Sequence, residues 1–274
     1  VAMGVPDEAA GATARALAEL VRAPAALTVP GDVLAGGAAG PLPVLASVAL
    51  YWAGMALNDH ADRALDAVER PARPIPSGRV RPGTALAVAA GLTGAGLALA
   101  AWDGRRTLRA ALPLAAAVWA YDLGLKDTPF GPATMAAARA LNVRLGGPAD
   151  GWAVGAVAAH TFGVTVLSRG EVGGGGPARA ATALASTAVA AALGARMARP
   201  GAVAVYAVRV GGAQVRAFRD PRAATVRAAT GAGVLGLLPL QAALVGARGR
   251  PVAASALGAA HPLARALARK VSPT

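Results

Sequence analysis

The chain has no cysteine, only three phenylalanines and three tyrosines, and 14 acidic residues among 274. Without cysteine there are no disulfides, thiolate metal sites or cysteine nucleophile. The three histidines, His60, His160 and His261, lack metal-binding spacing, and no Ser-His-Asp set stands out. Charge is scarce too: 15% of residues are charged, where a soluble domain carries about a quarter. What fills the space is apolar, 55% of residues with a mean hydropathy of +0.49, which points to a membrane.

Nearly uncharged windows of about 17 to 25 residues, enough to cross roughly 30 Å of hydrocarbon as helix, lie at 16–39, 42–58, 84–102, 108–125, 131–147, 152–168, 178–197, 228–247 and 251–268. A tenth, 201–218, is interrupted by Arg209, Gln214 and Arg216. They predict an all-α polytopic bundle of nine or ten transmembrane helices. Residues 1–274 read as a single domain, since no linker divides them, with 251–268 as the extra helix. The opening residues lack a compact apolar core with a small-residue cleavage site, so the first span is expected to act as the insertion signal.

The net charge of +13 does not indicate nucleic acid, because the basic residues sit in short loops between apolar spans. Arg63, Arg70, Arg73, Arg79 and Arg81 follow the second span, and Lys126, Arg169, Arg179, Arg216, Arg219, Arg222 and Arg227 fall in later loops on the same side. The positive-inside rule makes that side cytoplasmic, and the expected location is a bacterial cell membrane. Polar residues follow spans two, four and six (58–83, 121–131 and 165–176), so three chemically rich loops emerge on one face.

The stretch "ALNDHADRALDAVERPARPIPSGRV", residues 56–80, concentrates three of the few aspartates. On a helix continuing past the membrane edge, Asn58, Asp59, Asp62 and Asp66 fall within an arc of about 100°. Such a stripe repels itself unless a cation balances it, and hard oxygen ligands favour Mg²⁺, which shares its shell with water and phosphate oxygens. Arg70 and Arg73 behind it can hold phosphate charge by paired hydrogen bonds. Surface pairs such as Asp66 with Arg70 are the simpler alternative; the scarcity of acids and their single face favour the cation site. In span five, Arg139 and Asn142 share a face and are expected to line a cavity, because charge at depth is expensive. In span six, Thr161, Thr165 and Ser168 are expected to bond back to their own helix, and His160 to be packed.

The stretch resembles the first signature of the UbiA superfamily of intramembrane prenyltransferases, an Asn-Asp-x-x-Asp motif, often with a third Asp four residues later, followed by Arg-Pro-Ile-Pro-Ser-Gly. "VRAPAAL", with Arg22, is similar to the family's first helix. "YDLGLKDTPFG" resembles its Tyr-Pro-x-x-Lys-Arg-x-Thr loop, with Tyr121, Lys126 and Thr128 in place but Asp122 and Asp127 where Pro and Arg are usual. The resemblance implies about nine helices around a central cavity, with Mg²⁺ on Asn58, Asp59, Asp62 and Asp66 beside the diphosphate of a polyprenyl donor. It marks Asp59, Asp62, Tyr121 and Lys126 as catalytic. The diphosphate is expected on Asn58, Arg70, Arg73 and Lys126, with Arg22, Arg139, Asn142 and Arg169 supplying further contacts.

The family's second Asp-x-x-x-Asp motif is replaced by "SRGEVGGGG", a form similar to a divergent, EboC-like branch. Either Glu171 with Asp122 or Asp127 completes a second metal site, or Arg169 and Lys126 replace its charge, or the usual reaction is lost. Ionisation of an allylic diphosphate needs no protein nucleophile, and the cation could lie against Tyr51, Trp52, Trp119, Tyr121 or Phe162. The expected activity is Mg²⁺-dependent prenyl transfer to an electron-rich, lipophilic or aromatic small-molecule acceptor. The alternatives are an intramembrane terpene cyclase, or a non-catalytic lipid-binding protein or transporter.

Overall fold

A computed structural model describes residues 5–22, 28–148 and 150–260. Among these the chain is helical, in the order α1 (Val5–Leu20), α2 (Val29–Gly36), α3 (Pro41–Ala61), α4 (Arg63–Glu69), α5 (Pro82–Asp103), α6 (Arg105–Ala120), a π-helical turn (Tyr121–Leu125), α7 (Gly131–Leu145), α8 (Gly151–Ser168), α9 (Pro177–Ala195), α10 (Pro200–Arg219) and α11 (Ala223–Ala247). A shorter apolar helix, α12 (Pro251–Ala260), follows. Prolines near the starts of α2, α3, α5, α7, α9 and α10 fit the first turn, where no intrahelical partner for the missing N–H is needed.

Six of the described helices are long and apolar enough to cross a bilayer, α3, α5, α6 with its π turn, α8, α9 and α11, fewer than the nine or ten windows of the sequence. The 16–39 window is not one helix. α1 ends at Leu20, Arg22 adopts a left-handed backbone (φ 46°), and α2 has only 8 residues, or about 12 Å. α7 has 15 residues and carries Arg139, Asn142 and Arg144, and α10 carries Arg209, Gln214 and Arg216. Residues 261–268 of the expected extra helix, His261 among them, lie outside the described residues, as do residues 23–27 of the first motif.

The helices pack as two groups. α3, α5 and α6 share a core with Ala46, Leu50, Ala111 and Leu114, while α8, α10 and α11 share another with Val157, Tyr206, Val210, Leu240 and Leu244. Short α2 stands between them, packed against α3, α7, α8 and α11. It approaches α7 so closely that a Cβ on Gly36 would lie 1.9 Å from the Val143 carbonyl oxygen, and one on Gly146 would lie 1.9 Å from that of Val33. Since lipid offers little hydrophobic drive between helices, such backbone contact is where their attraction comes from.

Side-chain chemistry in the second group follows the expectation. Thr161 and Thr165 donate to carbonyls one turn back, Ser168 donates to the Thr165 carbonyl, and buried His160 lies 2.9 Å from the Tyr206 hydroxyl.

Candidate active site

The carboxylate stripe survives the end of α3. Asp62 breaks the helix between α3 and α4, yet Asp62, Asp66 and Arg70 each donate their backbone N–H to the carbonyl four residues back, all at 2.8 Å. The register therefore continues, and Asn58, Asp59, Asp62 and Asp66 stay on one face as the 3.6-residue period requires. The loop behind them is shaped by its prolines and anchored by Ile75 and Val80, which bury among Leu20, Ala56, Leu57 and Ala89. That docking brings Arg73 back over the stripe.

Each carboxylate already has a cation. Asp59 Oδ1 accepts from Arg22 Nη2 at 2.8 Å and from Arg73 Nη1 at 3.2 Å, and Arg73 Nη1 also donates to Asp66 Oδ2 at 2.5 Å. Arg70 lies 3.6 Å from Asp66. Lys126 Nζ donates to Asp62 Oδ1. The left-handed backbone at Arg22, strained for a residue with a Cβ, occurs where its guanidinium turns in to reach Asp59 and Asn58.

Asn58 joins the loops. Its Nδ2 donates at 3.1 Å to Asp62 Oδ2 and at 3.1 Å to Asp122 Oδ1. Asp122 arrives because Tyr121–Leu125 winds as a π turn, closed by the Lys126 N–H on the Tyr121 carbonyl at 2.9 Å. Such widened turns recur at functional sites because they re-aim side chains; this one sends both Asp122 and Lys126 to the stripe. Four carboxylates (Asp59, Asp62, Asp66, Asp122) thus face four cations (Arg22, Arg70, Arg73, Lys126).

For Mg²⁺, the oxygens converging on the Asn58 amide are of the right hard chemistry. Mg²⁺ commonly takes one or two protein carboxylates and completes its shell with water and phosphate. Asp62 and Asp122, with Asn58 between them, fit that role. Among the described residues no three acidic or histidine side chains form a ready-made cage, so the fit is to a cation that shares its ligands with a phosphate.

The remaining expected residues fall elsewhere. Arg169 clamps the loop that bears Lys126, donating from Nη2 to the Lys126 carbonyl at 2.7 Å and to that of Thr128. Glu171 has no hydrogen bond or ion pair to a site residue; its carbonyl accepts from Arg227 at 2.8 Å. Asp127 is exposed. Arg139 and Asn142 lie at depth: Arg139 Nε is 3.0 Å from Asp32 Oδ2, and Asn142 Nδ2 donates to the same oxygen at 3.0 Å. Sequence reasoning missed Asp32, Ser47 and Gln241. Gln241 Nε2 donates to Asp32 Oδ1 at 2.7 Å, and Ser47 Oγ donates to Asn142 Oδ1 at 2.5 Å. One acid in an apolar window was the only signal available.

A cavity of about 260 Å³ connects the two regions. Arg22, Asn58, Tyr121 and Asp122 line its mouth, Leu50, Gly54, Met55, Leu114, Val118, Met135 and Ala138 its apolar walls, and Ser47, Arg139 and Asn142 its inner end. Of the expected aromatics Tyr51 and Tyr121 line it, whereas the Trp119 indole is turned to Thr93 at 3.1 Å. Asn58 follows Ser47 by 11 positions on α3, about 16 Å along the helix. The inner end therefore lies about half a bilayer's hydrocarbon thickness from the carboxylate stripe.

Comparison with known proteins bears on the family and the fold. A model of the UbiA prenyltransferase family matches residues 26–270. A digeranylgeranylglyceryl phosphate synthase from Methanopyrus kandleri is 40% identical over 124 residues, covering 42% of this chain and 45% of that protein; the chain thus matches under half of this relative's length. The apo structure of a UbiA homolog from Aeropyrum pernix K1 superposes with a TM-score of 0.64 at 18% identity, over 82% of this chain and 98% of the other. A homolog from Archaeoglobus fulgidus bound to GPP and Mg²⁺ gives 0.58 at 14% identity, over 84% and 99%. At these identities the likeness is one of fold.

Proposed function

The chain belongs to the UbiA prenyltransferase family, and from that premise we propose that it transfers a prenyl group from a polyprenyl diphosphate to an electron-rich, lipophilic acceptor within the membrane, with the stripe on the cytoplasmic side. The observation that carries this reading is the Asn58 amide spanning Asp62 and Asp122 beside Lys126 and Arg22, at the mouth of an apolar cavity. The relative named as a synthase of a prenylated glyceryl phosphate and the homolog bound to GPP and Mg²⁺ support the same chemistry.

In this reading Asp62 and Asp122, flanked by Asn58, would hold Mg²⁺, which would supply positive charge to diphosphate oxygens. Arg22, Arg73 and Lys126 donate hydrogen bonds to the remaining oxygens; bidentate arginine contacts suit phosphate geometry. The prenyl chain lies against Leu50, Met55, Leu114 and Val118. Breaking the C1–O bond leaves the electron pair on the diphosphate and an allylic cation at C1. Apolar walls disfavour water beside that cation, and the Tyr51 and Tyr121 rings offer it π faces. The acceptor forms the new bond to C1 and gives up a proton, which the departing diphosphate can take. Arg169 acts by positioning the Lys126 loop.

The test is turnover of radiolabelled geranylgeranyl diphosphate by wild type and by Asp59→Ala/Asp62→Ala, with folding checked by circular dichroism. Loss of donor ionisation in a folded variant is expected, and retained ionisation refutes the assignment.

A further inference from the structure

The inner end of the cavity is built unlike a pocket for a hydrocarbon tail. Asp32, with no exposed surface, pairs with Arg139 Nε at 3.0 Å and accepts from Asn142 and Gln241, and Ser47 completes Asn142. Arg139 uses only its Nε edge. Its two Nη groups, four N–H donors, have no hydrogen-bond partner among the described residues, and the side chain lines the cavity. The side chain keeps 12% of its surface open, so a ligand that displaces water from it has to bring an oxygen to those donors.

The charge balance says which kind of oxygen. Asp32 and Arg139 already neutralise each other, so the inner end offers strong donors with no net positive charge. A carboxylate or phosphate entering there would be desolvated and would meet Asp32 as a like charge. A hydroxyl, carbonyl or ether oxygen has neither penalty and gains charge-assisted hydrogen bonds. We propose that Arg139, backed by Asp32 and Asn142, is a specificity site that binds a neutral oxygen of the acceptor, selecting an uncharged phenol, alcohol or carbonyl compound over an anionic one. This rests on the prenyl-transfer reading, and it deepens it by naming the acceptor class.

The experiment uses two probes of equal apolar length, 4-butylphenol and 4-butylbenzoate. Their binding to the detergent-purified full chain is measured by calorimetry with a non-ionising donor analogue, geranylgeranyl thiodiphosphate, and Mg²⁺ present. The variants are Arg139→Lys, which keeps the ion pair, and Asp32→Leu/Arg139→Met, which removes both charges together and leaves neither stranded. Expected is binding of the phenol at least tenfold tighter than the benzoate, falling about tenfold or more in the double variant and less in Arg139→Lys, with donor-analogue affinity unchanged. Equal or tighter benzoate binding overturns the proposal, as does binding of neither probe, or phenol affinity indifferent to both variants. Loss of donor-analogue binding in the double variant also overturns it, by assigning Arg139 to the diphosphate. Failure of wild type to bind the donor analogue refutes prenyl transfer, whereas the phenol and benzoate comparison, repeated without analogue, still reports on the inner end.

Discussion

Replacing Asp32 by Ala tests whether α2 holds the two helix groups together. The carboxylate has no exposed surface, lies 3.0 Å from Arg139 Nε as an ion pair, and accepts from Asn142 and Gln241 at 3.0 and 2.7 Å, so its removal strands a guanidinium and takes an acceptor from two amides, of which Gln241 keeps the Thr28 carbonyl at 2.7 Å. Breaking one side of a buried ion pair costs about 3–5 kcal/mol. Each lost amide hydrogen bond adds about 1 kcal/mol, although these losses overlap because the groups share one acceptor. The expected destabilisation is about 4–6 kcal/mol, a large part of the roughly 5–15 kcal/mol that holds a typical fold. Asp32→Leu/Arg139→Met leaves no lone charge, and its loss should stay within about 2 kcal/mol. Reversible unfolding in mixed micelles, titrated with dodecyl sulfate and followed by far-ultraviolet circular dichroism, measures both. If Asp32→Ala unfolds within about 1 kcal/mol of wild type, well under the penalty for a lone buried charge, the network contributes no stability and the reasoning is wrong.

Gly146→Ala would set a Cβ 1.9 Å from the Val33 carbonyl oxygen, so α2 and α7 must part and the folded yield should fall sharply; a midpoint equal to wild type refutes the close approach. Lys126→Met should weaken Mg²⁺-dependent binding of geranylgeranyl diphosphate by about tenfold or more, the worth of a charge-assisted hydrogen bond, and unchanged affinity removes Lys126 from the site. Arg169→Ala should lower kcat more than it raises KM for the donor, with partial recovery in Arg169→Lys; a pure KM effect would mean direct contact with substrate. Outside the spans, hydrogen bonds from Arg222 and then Thr225 hold the Asp220 carboxyl down at about 2, from an ordinary 3.8. Its contribution is complete above the ordinary value and lost only as pH falls through the depressed one. The difference in unfolding midpoint between wild type and Asp220→Asn should thus be constant above about pH 5 and shrink as pH falls from about 4 to 2, and a difference that stays constant through that lower window contradicts the depressed value.

The mouth was far more legible in the sequence than the inner end. Asn58, Asp59, Asp62 and Asp66 announce themselves because acids are rare and a 3.6-residue period is local; Arg70 and Arg73 follow within one loop. The inner end carries no local pattern. Asp32 meets Asn142 across 110 residues and Gln241 across 209, and each alone is a single polar residue in an apolar run. Arg139 and Asn142 were recognisable as cavity residues from the expense of burying them, but only their partner shows that they face Asp32 and not the carboxylate stripe. The same uniform hydropathy hid the breaks: 16–39 reads as one span although α1 and the eight-residue α2 are separate helices.

Three of the four carboxylates at the mouth rest in ion pairs, and the fourth, Asp122, rests on the Asn58 amide; this pairing makes the mouth selective against single ions. With Asp59, Asp62 and Asp66 held by Arg22, Arg73, Arg70 and Lys126, most of the charge at the resting site is already balanced from within. A lone divalent ion would have to evict a lysine or arginine, and a lone diphosphate would have to take those same cations from their carboxylates. Under the proposed function, basic side chains drawn to a diphosphate would free the aspartates they now hold, so that the two ions would be favoured together. Such an exchange would disfavour the entry of either ion alone.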